Sequence, residues 1–174
     1  MRRFLAALAA ITMLAATPVF ANPAEVGRAL PGAQKVGEAR YTMLAISLFR
    51  AELFTASGNF SWERPFALTL NYERAAPQSV LLNRTVREMS QRGGATAASL
   101  APLRAELAEC FPNIAQGDRI TGVSTGANTA RFYHNGAQSC EIDWPGFRRN
   151  FFGIWLDGRD GTAARLSAQL RGES

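Results

Sequence analysis

The sequence is short of the residues that most site chemistry uses. It has one lysine (Lys35), one histidine (His134) and two cysteines, Cys110 and Cys140. One imidazole and two thiols at these positions match none of the usual zinc spacings, so no metal site is expected. His134 has no cysteine or serine nucleophile partner in the pattern, which leaves it as a residue beside a turn and not a general base. Basic residues are almost all arginine, and they are interleaved with acids along the chain. A nucleic-acid footprint needs clustered basic charge, so nucleic acid is not expected as a partner. Beyond the first 21 residues there is no apolar run long enough to span a bilayer.

The start of the chain is different. Arg2 and Arg3 precede an apolar, alanine-rich stretch from Phe4 to Ala16, and Val19-Phe20-Ala21 has small residues at the spacing of a cleavage site. This reads as a secretory signal peptide, residues 1–21, and implies a periplasmic or secreted protein. No cysteine follows the cut, so no lipid anchor is indicated. The remaining 153 residues, with 17 basic residues against 14 acidic ones, fit one domain with a real core. In an exported chain an even cysteine count favours a Cys110–Cys140 disulfide over two buried free thiols. Its loop of about 30 residues is worth roughly 3–4 kcal/mol on the chain-entropy account.

Residues 22–34 have two prolines, small side chains and no clear period, and read as an extended lead-in. From Lys35 to Phe54 the alternation is strand-like with both faces largely apolar, which predicts one central strand. Phe66, Leu68, Leu70 and Tyr72 alternate with Ala67, Thr69, Asn71 and Glu73, the cleanest strand pattern in the chain. Ser79 is a candidate cap for a helix with Leu82, Val86 and Met89 on its buried stripe, ending at Gly93-Gly94. A second helix carries Leu100, Leu103, Leu107 and Cys110 on one face. Strands follow at Arg119–Ser124, Ala130–Tyr133 and Ala137–Ile142, and Asn135-Gly136 between the last two predicts a type I′ hairpin.

Asp143 to Leu156 then predicts a helix, with Asp143 as N-cap and Phe147, Phe151, Ile154 and Trp155 on one face. Arg148, Arg149 and Asn150 fall on the opposite side. Thr162 to Leu170 closes the chain as a short helix with Ala163, Leu166 and Leu170 inward. Strands, two helices, strands, two helices is an α+β pattern with the helices gathered on one face of an antiparallel-rich sheet.

Taken in order, YTMLAISLFRAELF (Tyr41–Phe54), PFALTLNYER (Pro65–Arg74), GDRITGV (Gly117–Val123), FYHNG (Phe132–Gly136) and FFGIWL (Phe151–Leu156) resemble the chalcone isomerase-like family, and within it the exported bacterial members. The resemblance covers residues 35–172 as one domain. It implies an open-faced sandwich: a large, mainly antiparallel sheet, a layer of helices on one face, and a ligand cleft between them. In the family's plant enzymes an Arg, a Thr, a Tyr and an Asn position water and stabilise developing negative charge. By motif position the strand Thr falls near Leu44, the helix Tyr and Asn near Leu82 and Met89, and a later Thr near Ile154. Apolar residues at these points leave no evident oxyanion donors, so no catalytic residue is assigned and no cofactor is expected.

The resemblance therefore implies a non-catalytic protein, akin to plant relatives that bind fatty acids. The expected cleft lining is Leu44, Ile46, Leu82, Met89, Ile154 and Trp155, with Arg40 or Arg74 meeting an anionic head group. A filled core at the same positions is the competing expectation. Two other readings stay open: an isomerase-type enzyme of unknown substrate using Tyr41, Tyr72, Tyr133 or His134, and a periplasmic partner-binding module using the Arg148-Arg149 face. The chain is expected to be a monomer.

Overall fold

Six strands with alternating patterns form one antiparallel sheet, each strand beside its neighbour in sequence. The computed structural model describes residues 22–173, so the expected signal peptide lies outside the described residues. The strands are β1 (Gln34–Met43), β2 (Ile46–Thr55), β3 (Phe66–Tyr72), β4 (Arg119–Ser124), β5 (Thr129–His134) and β6 (Ala137–Asp143). Between β3 and β4 the chain leaves the sheet for α2 (Gln78–Gly93) and α3 (Ala101–Cys110). After β6 come a π-helical turn (Arg148–Phe152), α4 (Gly153–Leu156) and α5 (Gly161–Leu170). A short helix, α1 (Ala24–Ala29), precedes the sheet.

Cross-strand partners share a face, so register fixes which side chains meet the helices. Leu53, Leu68, Gly122, Phe132 and Cys140 are aligned across five strands. Leu53, Leu68 and Phe132 belong to the main core with Leu82, Met89, Leu103, Leu107, Phe147, Phe151, Phe152, Leu156 and Leu170 from the helical layer, and Cys140 packs against it. Gly122 makes room for this layer, since a Cβ there would lie 3.0 Å from the rings of both Phe132 and Phe152. The opposite face carries a smaller core, in which Val26 and Leu30 pack on Phe54, Ala67, Val123 and Tyr133. The disulfide between Cys110 and Cys140 ties the end of α3 to β6, with the two Cα atoms 5.0 Å apart. The α+β open-faced sandwich is thus the architecture of the chain.

Several local expectations need correction. Residues 35–54 form a hairpin and not one central strand. Met43 pairs with Ile46 around a two-residue turn at Leu44-Ala45, and β1 is an edge strand. Alternation does not reveal such a turn when the turn residues are themselves apolar. The lead-in contains α1, held because Val26 and Glu25 are buried against the sheet. Ser79 caps nothing; Pro77 stands at the N-cap of α2, and the Gln78 amide donates to Asn113 Oδ1 at 2.9 Å.

Asp143 ends β6 instead of capping a helix. The helix after it opens with a π turn, which adds about one residue to the turn and shifts its phase. Phe151 and Phe152 therefore both face the core, while Ile154 and Trp155 are only half-buried. The same shift buries Arg148, expected on the solvent side. Its guanidinium donates to Ser124 Oγ at 2.7 Å and to the Trp62 carbonyl at 2.6 Å. Arg149 remains exposed, stacked 4.8 Å from the Trp62 ring. In α5, Ala163 is exposed and Ser167 takes the inward place beside Leu170.

Candidate functional site at the open end of the sandwich

The expected cleft residues do not come together. Leu82 and Met89 are each 2% exposed and packed in the main core. Leu44 is 91% exposed at the tip of the β1–β2 hairpin, far from any interior, and Ile46 is half-exposed beside it. Arg40 lies on the sheet face away from the helices. There it approaches Glu73 at 3.4 Å and lines a surface groove of about 620 Å³ with Arg50 and Gln169. The filled core, the competing expectation, describes Leu82 and Met89.

Tyr41, Phe49 and Tyr72 form the exception. They sit in one row across β1, β2 and β3, on the face that meets the helices. Tyr41 stacks on Phe49 with ring centroids 4.8 Å apart, and Phe49 meets Tyr72 at 5.6 Å. All three are partly buried and pack against the main core. Trp155 closes one side: its carbonyl lies 3.5 Å from the Tyr41 hydroxyl, and its ring packs 5.3 Å from Phe151. Arg74, with Ser47 and Tyr72, lines a second surface groove of about 410 Å³ at this end. Of the expected set, then, Trp155 and Arg74 border the strip; Phe49 was missed. The signal was available, since Tyr41 and Phe49 pair once the hairpin turn is recognised.

Burial pushes the Tyr41 and Tyr72 phenols well above their ordinary range. Both are therefore neutral near pH 7, and the Tyr41 hydroxyl points its donor at the Trp155 carbonyl. His134 sits at the rim of the β5–β6 turn, as expected, with Nε2 3.2 Å from Asp118 Oδ2.

A second polar cluster lies on the opposite face. The Glu25 carboxylate, fully buried, accepts from Arg119 Nε at 2.7 Å, Arg119 Nη2 at 3.0 Å and Thr121 Oγ1 at 2.9 Å. Burial alone would raise its pKa. The hydrogen bonds from Arg119, its own backbone amide and Thr121, with the Arg119 charge, outweigh burial and hold it below the usual carboxylate value. Every oxygen is occupied, so this pair docks α1 and leaves nothing free for chemistry.

No family profile matches the chain, and no curated protein matches it in sequence. In three dimensions it is similar to the crystal structure of a fatty-acid binding protein of Arabidopsis thaliana, with a TM-score of 0.65 and 7% identity over 82% of this chain and 88% of the other. That likeness, at so low an identity, is one of fold: the chain has a chalcone isomerase-like fold.

Proposed function

We propose that this protein is an exported, non-catalytic member of the chalcone isomerase-like group. It binds a small apolar ligand with an anionic head, a fatty acid being the fitting class. The carrying observation is the half-buried Tyr41–Phe49–Tyr72 strip, an apolar wall left open at the end of the sandwich with Arg74 beside it. An acyl chain on this wall gains roughly 0.8 kcal/mol per buried methylene, with no special geometry required. Arg74 supplies the charge for a carboxylate head. The fold shared with a plant fatty-acid binding protein supports the class of ligand, and the Cys110–Cys140 disulfide supports an oxidising compartment. Among the described residues no helix is long and apolar enough to cross a membrane.

The test is titration of the delipidated chain, from Asn22 onward, with a fluorescent fatty acid. Binding in the micromolar range that is lost in Phe49→Ala supports the reading. Absence of binding at high micromolar ligand, with no lipid in extracts of the purified protein, overturns it.

A further inference from the structure

Exposed large apolar side chains are few among the described residues: Met43, Leu44, Ile46 and Val80. The first three share one hairpin tip, Leu44 in the two-residue turn and Met43 and Ile46 on either side of it. Met43 and Ile46 face each other across the last pair of the β1–β2 hairpin, 53% and 50% exposed, and Leu44 stands above them at 91%. The backbone beneath them is unfavourable. Leu44 has φ 49° and Ala45 has φ 64°, in the left-handed region that side chains with a Cβ avoid. A turn of this shape ordinarily takes Asn-Gly, as this chain itself does at residues 135–136. Here two apolar residues stand where the backbone is strained and the side chains are solvated.

Toward the tip the only charged side chains are cationic; the acids Glu38, Glu52 and Glu73 lie behind them. From Arg40 to Arg50 the hairpin holds two arginines and no acid. The two arginines are directly opposite in the register, an arrangement that is repulsive unless an anion lies nearby. Arg40 leans on Glu73, and Arg50 is exposed. Both stand four to five residues from the turn, about 13–17 Å behind the tip at the rise of a strand. A surface helix or loop sinks about 5–10 Å into the boundary of a bilayer, which would bring these arginines to the level of the head groups.

We infer that the β1–β2 hairpin tip, Met43-Leu44-Ala45-Ile46, docks the protein on an anionic lipid bilayer, with its apolar side chains in the acyl boundary and Arg40 and Arg50 among the phosphates. A protein partner fits less well. A standard interface covers about 800 Å² on each side, more than one projecting turn supplies. Insertion into lipid needs only a few apolar side chains and nearby cationic charge.

The experiment is co-sedimentation of the chain from Asn22 onward with vesicles of phosphatidylcholine, alone or mixed with phosphatidylglycerol. The expected result is binding to the mixed vesicles that weakens in high salt and falls at least about tenfold in the double variant Leu44→Asn, Ala45→Gly. That variant suits the turn better than the natural residues, so misfolding does not explain the loss. Phe49→Ala, which tests the acyl-binding strip, should leave vesicle binding intact; the two readings thus fail separately. No sedimentation of the natural chain, or equal sedimentation of the double variant, overturns the inference. Self-association that the double variant abolishes, without vesicle binding, overturns it too and assigns the tip to a second copy of the chain.

Discussion

The molecule contains two hairpins of the same design that are filled in opposite ways. Each joins its strands through two residues at positive φ: Leu44-Ala45 between β1 and β2, and Asn135-Gly136 between β5 and β6. The second has the residues the geometry wants and is tied down. Asn135 Nδ2 donates to Asp118 Oδ1 at 2.9 Å, Asn135 Oδ1 accepts from the Arg119 amide at 2.8 Å, and Arg28 reaches the Gly136 carbonyl at 2.7 Å. The first turn has no such side-chain ties and is apolar. One turn is built for stability; the other gives up local stability to present hydrophobic side chains. Strain at a turn that the fold could easily relieve points to a use for that turn.

Removal of the staple on the β5–β6 side should have the largest effect. Cys140 anchors β6 to α3, and nothing equivalent holds β1. The double variant Cys110→Ser, Cys140→Ser should lose about 3–4 kcal/mol of stability in urea unfolding, as expected for a loop of about 30 residues. Vesicle and fatty-acid binding, both on the β1–β2 side, should persist while the protein remains folded. A loss of binding in step with the disulfide would show that the two ends are not independent.

The contrast between the two edges of the sheet also explains what the sequence revealed. Asn135-Gly136, the β3 alternation and the cysteine pair were legible, because each is written in residues with one dominant conformational use. The β1–β2 turn was not. Its residues continue an apolar alternation, so a hairpin and one long strand give the same pattern. The π turn at Arg148–Phe152 was hidden for a related reason: a single extra residue per turn changes which aromatics face inward without changing composition. The candidate site suffered most. Leu44 and Ile46 were assigned to an interior on the strength of one continuous strand, where the chain in fact turns at Leu44-Ala45 and leaves both exposed. Glu25 gave no warning, because an acid in a short lead-in is ordinarily exposed.

Acid should act next, through the buried carboxylate on the stable side. The Glu25 carboxylate is held below its ordinary value of 4.5, so it is charged more readily in the folded chain than in the unfolded one. Its contribution is complete above about pH 5 and is lost as pH falls through the folded value. Substitution of Glu25 by Gln should cost about 2 kcal/mol near pH 7, since Arg119 and Thr121 lose a charged acceptor. The gap between the two proteins should narrow once pH falls below 4.5 and through the lower folded value. Hydrogen exchange of α1 would report this directly; a gap that stays constant with pH would mean that the pair contributes through shape alone.

The smallest effect is the one that decides the comparison. Changing Leu44→Asn and Ala45→Gly gives the first hairpin the chemistry of the second. A residue with a Cβ in the left-handed region costs about 1–2 kcal/mol, and glycine gives back part of that gain through the greater freedom of the unfolded chain. The net expectation is a stabilisation of about 1 kcal/mol, read as a higher urea midpoint at constant slope. In the reverse sense, Gly136→Ala should cost about 1 kcal/mol, because its φ of 89° is as unfavourable for alanine as the first turn is now. If the Asn-Gly exchange instead destabilises the chain, then Leu44 and Ala45 make contacts that offset their strain, and the tip belongs to the fold. If it stabilises the chain and abolishes vesicle binding, stability and surface docking are opposed at this one turn. That outcome would account for an apolar pair where the same protein, at the opposite edge of its sheet, uses Asn-Gly.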